Sequence, residues 1–91
     1  MSTDWDDVSF VISSRYRVEV LRELADNPST PSRIAKETGN SIAHVSRALK
    51  DLRERDLVDL LVSEDRSKGR VYGTTEDGTE VWNRIEAENL V

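Results

Sequence analysis

The sequence predicts a mainly α fold with one small β-hairpin (α+β), and three observations carry the prediction. Apolar residues recur at helical spacing along most of the chain, in stretches that open on a capping Ser or Thr. Two of those stretches, 31–38 and 41–55, are joined by a tight turn at Gly39. The third observation is a pair of β-branched and aliphatic runs, "LVDLLV" at 57–62 and "RVYGTT" at 70–75, which bracket the polar loop "SEDRSKG". A chain of 91 residues is long enough for one small core and too short for two, so residues 1–91 are expected to form a single domain.

Each element has its own local signal. The first helix is expected over about 4–12, where Thr3 and Asp6 stand at the spacing of a capping box and Trp5, Val8 and Ile12 share one stripe. The segment "SSRYRVEVLRELADNP" restarts a helix near Ser14 and stops at Asn27-Pro28, because proline disfavours helical geometry in the residue before it. Tyr16, Val18, Val20, Leu21, Leu24 and Ala25 of that helix cover an arc about twice the roughly 100° stripe that one core contact needs, so it should touch two things.

Thr30 then caps a short helix whose first position is Pro31, where the missing N–H costs nothing, and Gly39 supplies the left-handed residue that ends it near Thr38. Ile34 and Ala35 point inward. Ser41 opens the next helix, with Ile42, Val45, Leu49 and Leu52 as its core stripe. After the hairpin, Thr75 caps a last helix over about 76–90. Glu76 and Asp77 occupy its first turn, where the helix dipole favours carboxylates, and Val81, Trp82 and Ile85 form its buried stripe.

Composition narrows the chemistry. No cysteine is present, which excludes disulfides and thiolate metal sites, and the single histidine, His44, cannot build a metal site alone. No convergent carboxylate pair or nucleophile–base couple is recognisable, so no enzyme, cofactor or metal is expected. The acidic start "MSTDWDD" does not suit a signal or transit peptide, and no apolar run is long enough for a membrane span, which points to a cytoplasmic protein with no membrane partner. The net charge is −5, from 18 Asp and Glu against 13 Lys and Arg, of which only Lys36, Lys50 and Lys68 are lysine. High acid with low lysine resembles the proteome of salt-accumulating archaea, and it equally suits an ordinary acidic protein.

The element order is that of a winged helix-turn-helix: a three-helix core plus wing, with extra N- and C-terminal helices. Ala35, Gly39, Val45 and Leu49 stand at the inward and turn positions of the helix-turn-helix pattern. "GRVYGTTEDGTEV" and "SSRYRVEVLRELADNPSTPSRIAKETG" resemble the wing and the entry segment of small archaeal regulators related to the MarR and ArsR groups. The resemblance spans nearly the whole chain and implies a helix-turn-helix at about 31–55, a wing at about 57–74 and a C-terminal helix at about 76–90. Two positions depart from it: Asn40 stands where an apolar residue is common, weakening the turn's packing, and Asp56 replaces the usual Gly, a change tolerable because Asp visits left-handed geometry.

An acidic protein can still hold a polyanion if its charge is segregated. Residues 31–55 hold six basic and three acidic side chains, a local +3, and the loop and strand at 63–74 add +1. Residues 1–12 carry −3 and residues 75–91 carry −4. Only the face within roughly a Debye length of the phosphates matters strongly. On the helix after the turn, Arg47 faces away from the core stripe with Ala43 and Lys50 beside it. Arg47 can donate two hydrogen bonds to guanine, Ala43 lets the backbone approach or touches a thymine methyl, and Lys50 suits a phosphate.

Ser41 at the helix N-terminus can bond a phosphate, while His44 and Ser46 flank the face as either base contacts or solvated groups. Arg66, Lys68 and Arg70 flank Gly69 at the wing tip, positioned for the backbone or minor groove. Arg53 and Arg55 suit plain solvation and pairing, such as Asp51 with Arg55. The expected function is therefore a sequence-specific transcriptional regulator on double-stranded DNA. It is expected to act as a homodimer through Trp5, Val8, Ile12, Tyr16, Val20 and Trp82, with no effector readable from the sequence. The rival from another class is a winged-helix protein-interaction module that uses the acidic Trp5 helix.

Overall fold

The computed structural model describes residues 4–62 and 70–91. Its elements are α1 (Trp5–Ile12), α2 (Arg15–Asp26), α3 (Pro31–Thr38), α4 (Ile42–Glu54), β1 (Val58–Leu60), β2 (Tyr72–Thr74) and α5 (Glu76–Ala87). The fold is mainly helical with a two-stranded antiparallel hairpin, in the register Val58↔Thr74, Asp59↔Gly73 and Leu60↔Tyr72. The extended stretch after α2 adds one bridge to the hairpin: Ser29 and Tyr72 exchange both backbone bonds, at 3.0 and 2.8 Å. That bridge anchors the wing to the entrance of α3.

The caps follow the local signals at four helices. Ser14, Thr30, Ser41 and Thr75 each accept a bond from a backbone N–H in the first turn, which satisfies a donor the helix itself cannot. Helix α1 differs from expectation. Its cap is Asp4, whose carboxylate accepts from Asp6 N at 2.9 Å, and Thr3 lies outside the described residues. Gly39 closes α3 at φ +72°, and Asp56 follows α4 at φ +60°, the left-handed geometry expected of each. Asn40 does not leave the turn loose, because its Nδ2 donates to the Glu19 carboxylate on α2 and to Thr38 Oγ1 at 3.1 Å.

Helix α2 lies at the centre, against α1, α3, α4, α5 and β2. Its wide apolar arc is consumed by the chain's own elements: Val18, Val20, Leu21 and Leu24 are all buried. The expectation that part of this arc is left over for a partner is corrected on this point. Val8 at 1%, Val20 at 0% and Trp82 at 5% exposure belong to the core of this chain and offer little surface to a second copy. The core stripe of α4 also shifts. Ile42, at the first position of the helix, is 49% exposed, and Ala48 joins Val45, Leu49 and Leu52 in the interior.

Helix α1 is held to α4 by a cluster around Phe10. The guanidinium carbons of Arg17 and Arg55 lie 3.9 and 4.2 Å from the centre of the Phe10 ring, each worth about 0.5–2 kcal/mol as a cation–π contact. Arg55 pairs with Asp7 at 3.1 Å and Arg17 with Asp51 at 3.6 Å, so the expected Asp51–Arg55 pair within α4 gives way to two pairs between helices. Arg17 Nη1 donates to Phe10 O at 2.7 Å and to Ser13 Oγ at 3.0 Å, fixing the sharp corner between α1 and α2.

Thr75 does two jobs at the other end. Its Oγ1 accepts from Gly78 N at 3.0 Å and donates to Asp56 O at 2.7 Å, tying the start of α5 to the residue that follows α4. Thr75→Ala removes both bonds and should cost about 1–2 kcal/mol. Urea unfolding should show a lower midpoint at an unchanged slope, and an unchanged midpoint would refute the assignment.

Candidate nucleic-acid interface

The buried stripe of α4 fixes which side chains face outward. With Val45, Ala48, Leu49 and Leu52 inside, the residues Ser41, Ala43, His44, Ser46, Arg47 and Lys50 are all exposed. Arg70, before β2, is exposed as well, while Arg66 and Lys68 lie outside the described residues. The pairing of cations divides the molecule. Arg15, Arg17, Arg55 and Arg84 are committed to carboxylates, and Arg22 and Arg53 lie 5.5 and 5.9 Å from the Trp82 and Tyr72 ring centres. Among the described residues Arg33, Lys36, Arg47 and Lys50, on α3 and α4, have no carboxylate within ion-pair distance. Among the described residues, the cations with neither a carboxylate nor a ring against them are therefore these four on the two helices of the motif and Arg70 before β2.

The N-terminal end of α4 carries a contact that the sequence concealed. Tyr16, expected at a dimer interface, lies against α4 instead, its ring stacked on the His44 imidazole with centroids 4.3 Å apart and planes 16° from parallel. Ser41 Oγ accepts from His44 N at 3.2 Å and lies 3.1 Å from His44 Nδ1, so the hydroxyl expected on a phosphate also has partners inside the chain. Ser14, Tyr16, His44, Arg47, Ala48 and Asp51 together line a cleft of about 260 Å³ between α2 and α4. No periodicity reports a stack between residues 16 and 44, since each is an ordinary position on its own helix.

Larger clefts lie away from this face. One of about 520 Å³ is lined by Glu23, Asp26, Arg33 and Glu37 with the Asn27–Ser29 stretch, and one of about 310 Å³ lies beside Trp82. Among the described residues no group of three His, Cys, Asp or Glu could hold a metal ion. No helix among them is long and apolar enough to cross a membrane. Of the side chains expected at a dimer interface, Trp5 at 52% and Ile12 at 37% remain exposed, and Leu90 and Val91 add apolar surface at the C-terminal end.

This architecture is the winged helix found in MarR-family regulators. The chain is similar to the zinc-responsive MarR family member ZitR of Lactococcus lactis, at 27% identity and a TM-score of 0.71 over 85% of this chain and 54% of that one. It is similar in fold to NMB1585, a MarR family regulator from Neisseria meningitidis, at 20% identity and a TM-score of 0.74 over 85% and 55% of the two chains. The fold also matches S. aureus MepR in a complex with DNA, at 18% identity and a TM-score of 0.72 over 91% and 70%. The chain spans about half the length of ZitR and NMB1585. It belongs to the HVO_A0261 N-terminal domain family, whose model matches residues 5–89. No curated protein matches it.

Proposed function

We propose that this chain is a sequence-specific DNA-binding transcriptional regulator. In this reading α4 enters the major groove, and the wing expected at 63–70 follows the backbone or minor groove. The observation that carries it is the exposed α4 face of Ala43, Arg47 and Lys50, joined to Arg33 and Lys36 of α3, which like Arg70 before β2 have no ion pair among the described residues, while the arginines of α2 and α5 and the C-terminal end of α4 are paired or stacked. The MepR complex with DNA supports it by analogy of fold. NMB1585, similar in fold, is a MarR family regulator, and this reading gives no residue a catalytic role.

Roles within the face separate by mutation. Arg47→Ala should cost about 1–3 kcal/mol and relax preference at one base pair, whereas Arg66→Ala or Lys68→Ala should weaken all sequences alike. The measurement is selection of bound duplexes from a random pool, followed by titration of the selected sequence. An unchanged preference in Arg47→Ala would overturn the assignment of α4 as the reading helix.

A homodimer completes the reading, with the exposed Trp5 and Ile12 of α1 meeting the Leu90 and Val91 end. Two copies related by a two-fold axis would read half-sites about 10 bp apart. The carboxylate-rich, lysine-poor surface suits a cell that accumulates salt. A second reading, a protein-interaction module, draws on the exposure of Trp5 at 52%. An electrophoretic shift with genomic DNA at high salt separates the two, since the module would leave DNA unshifted.

A further inference from the structure

We propose that Tyr16 is a positioning residue for the DNA face, holding His44 so that its Nε2 donates a hydrogen bond to an acceptor atom of the bound duplex. The inference rests on the DNA-binding reading of α4. It begins with the hydroxyl of Ser41, which accepts the cap bond from His44 N at 3.2 Å and, in this proposal, gives its own proton to His44 Nδ1. The acceptor within reach is His44 Nδ1, at 3.1 Å. With Nδ1 accepting, the neutral imidazole carries its proton on Nε2, and the imidazolium carries one there too. Nε2 is therefore a donor in either charge state.

Tyr16 fixes the plane of that donor. A ring stacked at 4.3 Å and 16° cannot turn about its own axis without losing the contact, and Ser41 holds the corner at Nδ1, so two restraints from different helices define one orientation. Nε2 has no partner among the described residues, and His44 is exposed beside Arg47 in the same cleft. Nearby charges come from both helices: Arg15 lies 5.6 Å from the Tyr16 ring centre, and Arg47 and Asp51 line the cleft. A donor held rigid before binding loses less freedom on contact, which is the physical reason for building a stack behind it. Phosphate oxygens and the acceptors of the major-groove base edges share the chemistry that Nε2–H recognises.

The test uses the full chain and a duplex selected by the wild-type protein from a random-sequence pool. His44→Ala should weaken binding roughly 2- to 12-fold, the loss of one hydrogen bond. Tyr16→Leu, which keeps apolar volume, should reproduce that loss within about twofold, and the double variant should be no weaker than the single ones, since both remove the same contact. Tyr16→Phe should bind as wild type, because the Tyr16 hydroxyl makes no bond among the described residues. Strictly multiplicative losses in the double variant, or wild-type binding by Tyr16→Leu, would overturn the proposal.

Repeating the selection with His44→Ala separates the sources of the acceptor: an altered preference at one position marks a base, and a uniform loss marks a phosphate. Nitrogen NMR of the one imidazole in the chain gives an independent check that needs no variant, and a neutral form protonated on Nδ1 would overturn the geometry. Failure of the underlying reading looks different. Wild type would then select no duplex at all, whereas failure of this inference leaves wild-type selection and the Arg47→Ala defect intact.

Discussion

Gly78→Ala is expected to destabilise the fold by about 3 kcal/mol or more, with a fall in melting temperature of roughly 12–24 °C. Two effects oppose each other at this position. Gly78 is the third residue of α5, where alanine would be favoured by up to about 1 kcal/mol on helix propensity alone. A Cβ there, however, would lie 3.0 Å from the Leu57 carbonyl carbon and deep inside the van der Waals envelope of its oxygen. That carbonyl cannot move aside, because it accepts from Thr75 N at 3.1 Å while Leu57 itself is fully buried.

The obstacle is backbone rather than a flexible side chain, so sterics outweigh propensity, and α5 must lift from the segment between α4 and β1. Gly39→Ala is the control: nothing lies within 4 Å of its Cβ, and the cost is the left-handed φ of +72° alone, about 1–2 kcal/mol. Melts of the two variants side by side should rank them in that order. Equal melting temperatures would mean the Leu57 contact relaxes without strain.

Signals that act over four residues were legible in the sequence, and signals that act across the fold were not. Ser14, Thr30, Ser41 and Thr75 announce helix starts because a cap is a bond between near neighbours, and Gly39 announces a stop for the same reason. Asp4 took the cap of α1 because a carboxylate can bond the N–H two residues on as well as a hydroxyl can, and two adjacent candidates are hard to rank. The width of the apolar arc on α2 is a property of its sequence, but the identity of what covers it is not. Four helices of the same chain and β2 do so, which removes Val20 from any interface.

The same limit explains the charges and the site. Asp51 and Arg55 are spaced to pair, yet each finds a better-placed partner, Arg17 and Asp7, that no local pattern connects to it. The outward face of α4 was readable because periodicity alone places Ala43, Arg47 and Lys50 opposite the core stripe. The Tyr16–His44 stack and the backbone approach at Gly78 were not, since both depend on which helix lies alongside. Even so, a glycine inside the first turn of an otherwise well-capped helix is a hint of a close approach.

Raising KCl from low to molar concentrations should raise the melting temperature while weakening DNA binding with a log–log slope shallower than about −8. The first half follows from where the acid lies. Helices α1 and α5 pack together; the first carries Asp6 and Asp7 behind its cap Asp4, and the second carries Glu76, Asp77, Glu80 and Glu86 with Glu88 as its C-cap. Arg55 answers Asp7 at 3.1 Å and Arg84 answers Glu88 at 3.0 Å, which leaves the rest of these carboxylates without an ion pair among the described residues. Such repulsion opposes folding in dilute salt and fades as the Debye length falls from about 10 Å at 0.1 M to about 3 Å at 1 M. The ion pairs lost by the same screening are partly exposed and worth at most about 1 kcal/mol each, so the net sign is stabilising.

The second half follows from the count of free cations. Each phosphate contact contributes about −0.9 to the slope, so −8 needs about nine contacts. In the proposed reading Arg33, Lys36 and Lys50 on α3 and α4 and Arg70, with Arg66 and Lys68 outside the described residues, are the cations proposed for phosphates, and Arg47 is proposed for a base. A protein that works in concentrated salt gains little from using all of them in both copies of a dimer, because counterion release is weakest there. Base and apolar contacts, which salt screens less, should carry more of the affinity. Thermal melts and binding titrations across the same KCl series check both halves: a melting temperature that falls with salt, or a slope as steep as −8, refutes the proposed adaptation to high salt while leaving the proposed DNA recognition by α4 standing.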